Sequence, residues 1–291
     1  MLYLIDSSVY VFRAYYSLPD TMTDAAGNPV NAVYGFTNFL YELLMRETPV
    51  YIGAAFDISL TSSFRNDIYP PYKANREPAP EELKRQFVYC RRIAAEMGLP
   101  CFADSTCEAD DIIGTLATKW RKHGEPVTIV SRDKDLMQLI EKDDTYWDYA
   151  GDKRISYAQV KDTLGVSADR VADFLALTGD AVDNIPGVPG IGKKTASVLL
   201  DAYTSIDDVY AHLDDLHLLN IRGAKSLKTK LAEHKDKAYL ARQLTDIRRD
   251  MPISAARSGL KRQSPDLEAL NQTFDELGFS DTLRTKISKL V

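Results

Sequence analysis

Residues 126–135 read Pro-Val-Thr-Ile-Val-Ser-Arg-Asp-Lys-Asp, a short β-branched run that ends on a polar turn carrying Asp133 and Asp135. An apolar run of this length, bounded by proline and polar residues, predicts a buried strand. The same grammar continues upstream. Residues 108–122 show helical spacing, 100–103 form a brief strand, and 81–97 a helix with Leu83, Phe87, Cys90, Ala94 and Met97 on one face. Residues 50–56 read as a strand, 31–46 as a helix with Val33, Phe36, Leu40, Leu43 and Leu44 on one side, and 2–5 as a strand. This alternation predicts an α/β fold with a mostly parallel sheet and helices on both faces. A polar, proline-containing segment at 61–80 interrupts it and is expected as a loop or short helices. Beyond about residue 155 strand signals fade, and 169–178, 194–203, 224–234, 236–245, 265–277 and 281–290 follow helical spacing. The layout is an α/β front with a helical rear.

The chain of 291 residues is 45% hydrophobic and 27% charged, enough to bury a full core. A disordered tail, a collagen-like chain and a disulfide mini-scaffold are excluded. The net charge of −6 excludes a uniformly basic nucleic-acid coat. The balance is uneven: residues 1–185 carry 19 Lys/Arg against 28 Asp/Glu, and residues 186–291 carry 17 against 14. Within 222–262 there are 12 basic residues and four acidic ones. A basic run serves as a solvated face or a polyanion-binding surface, and composition leaves both open. Cys90, Cys101 and Cys107 show no Cys-x-x-Cys spacing and are expected as reduced thiols. With no signal peptide and no apolar run near the roughly 20 residues a bilayer requires, a soluble, cytoplasmic protein is expected.

Acidic residues fall at the carboxyl ends of the expected strands, where open α/β sheets bind ligands. Asp6 closes the first strand and Asp57 follows the second; Glu108, Asp110 and Asp111 open the helix after 100–103, and Asp133 and Asp135 follow 126–130. Singly, each reads equally as a cap, a turn residue or a complement to a helix dipole. Together, four strand ends converging their carboxylates would repel without a cation. Hard divalent ions, above all Mg²⁺, take such oxygen ligands. His123, His212, His217 and His234 are scattered without ligand spacing, which argues against zinc. Asp180 and Asp183 add an i, i+3 pair that a helix would present on one side. Residues 185–196 follow, Ile-Pro-Gly-Val-Pro-Gly-Ile-Gly-Lys-Lys-Thr-Ala; their glycines permit a tight turn, and a helix start near Lys193 offers backbone N–H groups to a phosphate.

These motifs resemble the 5′-nuclease (flap endonuclease) family. They are Leu-Ile-Asp-Ser-Ser (4–8), Val-Tyr-Gly-Phe-Thr-Asn (33–38), Phe-Arg-Asn-Asp-Ile-Tyr-Pro-Pro-Tyr-Lys-Ala-Asn-Arg (64–76), Glu-Ala-Asp-Asp-Ile-Ile-Gly-Thr-Leu-Ala (108–117), Ser-Arg-Asp-Lys-Asp (131–135) and the 177–196 segment. They cover about the first 200 residues in order, and the remainder matches only in helical character and basic charge.

The resemblance implies a PIN-like (resolvase-like) nuclease core over 1–165, with an arch or loop at 61–80. It also implies a helix-three-turn-helix DNA-binding region of helix-hairpin-helix type over 166–291, with its hairpin at 185–196. It implies cleavage of phosphodiester bonds in branched or nicked duplex DNA with a 5′ flap or 5′ end. Nothing in the sequence signals an obligate oligomer, and a monomer is expected. Asp6, Asp57, Glu108, Asp110, Asp111, Asp133, Asp135, Asp180 and Asp183 match the family's metal-site carboxylates. The first group would mainly hold one Mg²⁺, and Asp133, Asp135, Asp180 and Asp183 a second, with Mn²⁺ able to substitute. Lys73 and Arg76 match the catalytic basic residues at the foot of the arch; Tyr72 and Tyr34 are candidates for base stacking, Tyr34 equally for a packing role. The resemblance suggests K⁺ on the backbone carbonyls of Leu177, Thr178, Pro186, Val188 and Ile191. Gly190, Gly192, Lys193, Lys194, Arg222, Lys225, Lys228 and Lys230 are expected to contact duplex backbone. A ribonuclease of the PIN type and a non-catalytic binder of DNA structures are the competing readings.

Overall fold

The computed structural model describes residues 1–58, 63–219, 221, 223–254 and 256–290, the side chain of Lys225 excepted. Arg222 and the Lys225 side chain, both expected at the DNA surface, thus lie outside the described residues. The strands are β1 (Leu2–Asp6), β2 (Tyr51–Ala55), β3 (Cys101–Phe102), β4 (Val127–Val130), β5 (Thr145–Asp148) and β6 (Lys153–Ser156). They form one sheet in the order β3-β2-β1-β4-β5-β6, parallel throughout except for β6, which runs antiparallel to β5. β1 is buried along its whole length, which explains its unbroken apolar sequence. The β5–β6 hairpin was not legible in the sequence, because β6 buries only Ile155. Lys153 and Arg154 charge that outer edge and discourage edge-to-edge pairing.

The helices of the α/β part are α1 (Ser7–Ser17), α2 (Asn31–Glu47), α3 (Phe64–Ile68), α4 (Glu81–Glu96) and α5 (Ala109–Arg121). Those of the rear are α6 (Val160–Leu164), α7 (Val171–Thr178), α8 (Lys193–Ala202), α9 (Ile206–Ala211), α10 (Ala224–Glu233), α11 (Lys235–Thr245), α12 (Leu267–Glu276) and α13 (Asp281–Ile287). Alternation along β1 divides the core between the two sheet faces. Leu2 and Leu4 pack with Ile112, Ile113 and Leu116 of α5, whereas Tyr3 and Ile5 pack with Phe36, Leu40 and Leu44 of α2. Each fully buried aliphatic side chain contributes roughly 1.5–3 kcal/mol. Truncating Leu4 to alanine is therefore expected to cost about 2–5 kcal/mol.

The end of the chain is helical, as expected within 166–291, but it packs on the α/β part. The strip at 261–266 runs back along the α/β part: Arg262 N–H donates to the Val50 carbonyl at 3.0 Å, Gln263 N–H to Gly98 at 2.9 Å and Asp266 N–H to Glu96 at 2.7 Å. α12 and α13 then bury Leu270, Phe274, Leu283 and Ile287 on the sheet face that carries α2 and α4. Their apolar stripes need a partner, and that face supplies it. Gly98 permits the approach, because a Cβ there would stand 2.1 Å from the Gln263 carbonyl oxygen. Among the described residues no helix is long and apolar enough to cross a membrane.

Candidate active site

β1 is the strand from which the chain moves outward in both directions, to β2 and β3 on one side and to β4 and β5 on the other. α1 after β1 and a short 3-10 helix (Lys134–Leu139) after β4 therefore leave the sheet on opposite faces, and a crevice opens between them. Asp6, the last residue of β1, lies at its bottom, only 5% exposed. Ser131, immediately after β4, donates its hydroxyl to Asp6 Oδ2 at 2.7 Å and accepts the Asp133 N–H at 2.9 Å. Asp57, two residues past β2, accepts the Ala109 N–H at 2.9 Å, and its own N–H donates to the Ser8 hydroxyl at 3.0 Å. Glu108 caps α5 in a capping box with Asp111, which sets Asp110 one position inside the helix.

Charge in this crevice is poorly compensated. Burial, then the charge of Asp57, pushes the Asp6 carboxyl up. Asp110 is raised well above its ordinary value by burial and by Asp133, Asp6, Glu108 and Asp57. Asp57 is raised by burial, with the Ala109 N–H opposing. Asp133 and Asp135, on the open side, are raised first by the protein crowded around them, although Asp133 keeps a solvent-exposed edge. Among the described residues no three of these groups stand ready as the shell of a single ion. The donors are all oxygen and their negative charge is unsatisfied, which fits hard divalent cations.

Asp180 and Asp183 reach the crevice from a turn and not, as expected, from a helix. α7 stops at Thr178, and Asp180 and Ile185 exchange backbone hydrogen bonds of 3.0 and 2.7 Å across a four-residue loop. Asp180 Oδ1 accepts the Val182 N–H at 2.8 Å inside that loop.

Asp111 is corrected from candidate ligand to ion-pair partner. Its oxygens accept both guanidinium nitrogens of Arg65, at 2.7 and 2.8 Å, together with the N–H groups of Glu108 at 3.1 Å and Arg248 at 2.9 Å. Fully buried and four times hydrogen-bonded, it has no lone pair left for a metal. Arg65, 2% exposed, also donates to the carbonyls of Leu244 at 2.8 Å and Asp246 at 3.2 Å. The sequence reading passed over Arg65; the signal available was an arginine directly after Phe64 at the head of the 64–76 motif.

Lys73 donates to Glu108 Oε1 at 2.7 Å and stands 3.7 Å from Asp183 Oδ2. Burial alone would lower its pKa, but Glu108 and Asp183 outweigh burial and hold it charged. Glu108 is correspondingly held low: Lys73 and Arg65 overcome the effect of burial. Arg76 pairs with Asp183. Tyr72 corrects the stacking expectation, since only 4% of it is exposed. Its ring packs with Ala176, Ile185, Ala241 and Leu244, and its hydroxyl donates to Glu108 Oε2 at 3.0 Å. Tyr34 is half-buried, edge-on to Phe279.

The hairpin doubles back on α7: Val188 N–H donates to the Leu177 carbonyl at 2.9 Å and Ile191 N–H to Val188 at 3.0 Å. Gly187 makes this possible, because a Cβ there would meet the Thr178 carbonyl carbon at 2.4 Å. Leu177, Thr178, Pro186, Val188 and Ile191 thus belong to one compact segment. Gly190, Gly192, Lys193 and Lys194 are exposed where α8 begins, and the Lys230 amine lies over Gly190. Lys228 is tied to Asp214. Much of the basic run is spent on internal pairs: Arg242 with Asp173, Arg248 with Asp250 at 3.1 Å, and Arg257 with Glu125 at 2.5 Å.

Residues 1–165 match the family model of the 5′-3′ exonuclease N-terminal resolvase-like domain, and residues 166–268 that of the 5′-3′ exonuclease C-terminal SAM fold. The chain belongs to the 5′-3′ exonuclease family. It is 40% identical over 259 residues to DNA polymerase I of Rhizobium leguminosarum, a match covering 87% of this chain and 25% of that protein. The chain thus corresponds to about a quarter of that relative's length. Among solved structures, T5 5′-exonuclease with zinc bound superposes with a TM-score of 0.67 at 18% identity, covering 99% of this chain and 97% of that one. A bacteriophage T5 flap endonuclease solved with DNA and metal ions gives 0.66, also at 18% identity, over 99% and 98% of the two chains. Both structures share the fold.

Proposed function

We propose that the chain is a structure-specific 5′ nuclease, a 5′-3′ exonuclease and 5′-flap endonuclease that hydrolyses DNA with two divalent metal ions in replication or repair. The observation that carries this reading is the crevice at the ends of β1 and β4, where buried carboxylates crowd one another without an equal number of cations. Asp6, Asp57, Glu108 and Asp110 would hold one Mg²⁺, directly or through water, and Asp133, Asp135, Asp180 and Asp183 would hold or support the second. Mn²⁺ would substitute. When bound, such ions activate water and neutralise charge at the scissile phosphate. Lys73, kept charged by its two acidic neighbours, and Arg76 would turn to that phosphate and stabilise the charge that builds on it during attack. Ser131 and the α5 capping box hold Asp6 and Glu108 in place from behind.

Duplex DNA would lie across the hairpin 185–196. The start of α8, with Gly190, Gly192, Lys193 and Lys194, would receive a backbone phosphate. A K⁺ on the carbonyls of Leu177, Thr178, Pro186, Val188 and Ile191 would bridge the turn to DNA, and Lys228 and Lys230 would follow the backbone without reading sequence. The DNA and metal ions in the T5 flap endonuclease structure support this reading. The test is cleavage of a labelled 5′-flap duplex against matched single strand and blunt duplex, with Mg²⁺ and with EDTA. Metal-dependent cutting near the flap junction is expected. Tight binding without cutting would favour a DNA-structure binder, and cutting of single-stranded RNA alone would favour a ribonuclease.

A further inference from the structure

Two neutral side chains tie the arch foot to the loop that carries Asp180 and Asp183. Asn184 donates its Nδ2–H to the Pro71 carbonyl at 2.7 Å, and Asn75 donates its Nδ2–H to the Ala181 carbonyl at 3.0 Å. The bonds run in opposite directions across one seam, each amide reaching the other segment's backbone. Between them the Lys73 N–H donates to the Asp183 carbonyl at 3.0 Å. Lys73 and Asn184, on opposite sides of this seam, both adopt left-handed backbone, each with φ of 55°. Asparagine tolerates that region, but lysine enters it rarely and stays only where its surroundings over-determine it. The left-handed turn directs the Lys73 amine to Glu108 and Asp183 instead of into solvent.

We propose that Asn75 and Asn184 are positioning residues: a reciprocal amide clasp that holds the arch foot on the 180–185 loop and so sets Lys73 between Glu108 and Asp183. The inference rests on the nuclease reading of Lys73 and Asp183. Neither asparagine side chain hydrogen-bonds a carboxylate of the crevice in this structure, so the clasp acts through the backbone it fixes.

The test compares Asn75→Ala, Asn184→Ala, the double variant and Asn184→Gly with the unaltered chain in three measurements. These are single-turnover cleavage of a 5′-flap duplex in Mg²⁺, flap affinity in EDTA, and hydrogen exchange of the Lys73 amide. The clasp predicts that each alanine variant cuts about 10-fold more slowly or worse, that affinity stays within about twofold, and that the double variant falls little below the worse single one. Lys73 exchange should quicken in every variant. Asn184→Gly separates bond from backbone, since glycine accepts a φ of 55° freely. It should cut as slowly as Asn184→Ala, and a Gly variant as fast as the unaltered chain would overturn the role of the amide. Unchanged cleavage and exchange, or rate and affinity falling together, would also overturn the clasp. An unaltered chain that fails to cut with Mg²⁺ contradicts the nuclease reading instead, and the exchange measurement still decides whether the clasp holds Lys73.

Discussion

Asp110 and Asp111 are consecutive residues in the first turn of α5, and the helix sends them into two different electrostatic environments. Asp110 enters the crevice, where Asp133, Asp6, Glu108 and Asp57 add their charge to its burial. Asp111 points behind it to Arg65, which covers both its oxygens while also binding the end of α11. One region leaves negative charge unsatisfied and the other satisfies it completely. The difference separates a place made for mobile cations from one that has built its cation into the chain.

The largest expected effect lies on the satisfied side. Arg65→Met leaves Asp111 buried without its cation, and is expected to cost about 3–5 kcal/mol in denaturant unfolding. The double change Arg65→Met with Asp111→Leu should recover most of that loss; a double variant no better than the single one would break the comparison. On the unsatisfied side, Lys73→Ala should lower single-turnover flap cleavage roughly 10²–10³-fold with little change in stability. Equal losses of rate and stability would show Lys73 to be a structural ion-pair partner. A third effect sharpens the contrast through pH. The crevice carboxylates have raised folded-state pKa values, so the folded chain binds their protons more tightly than the unfolded chain does. Their contribution favours folding in the ordinary carboxylate range and is lost as pH rises through the raised values. In EDTA the chain should lose on the order of 1–3 kcal/mol between about pH 5 and about pH 8, and Mg²⁺ should restore it. The smallest effect belongs to the hairpin: Lys194→Ala should weaken duplex binding irrespective of sequence and reduce its salt slope by about 1. A sequence-dependent loss would contradict a phosphate contact.

The sheet was legible because β1, β2 and β4 are apolar runs that no exposed segment would carry, and the carboxylates after them mark the strand ends. The β5–β6 hairpin escaped because an edge strand buries one residue in two at most. The individual fates of Asp110 and Asp111 escaped for a different reason. Periodicity tells which residues share a helix, but the partner of Asp111 comes from Arg65, 46 positions away. The burial of Tyr72 likewise depends on α7 and α11, whose approach no local pattern encodes. Charge counting left a solvated face and a polyanion surface equally open at the rear, and only the fold shows Arg242, Arg248 and Arg257 paired with acids near and far in sequence.

The most direct test of these opposed environments is thermal unfolding of Asp110→Asn and Asp111→Asn, each in EDTA and in Mg²⁺. Relief of repulsion should raise the melting temperature of Asp110→Asn in EDTA and shrink its gain from Mg²⁺. Asp111→Asn should melt lower in both solutions and keep that gain. Two variants that shift in the same direction, with the same response to Mg²⁺, would contradict the account.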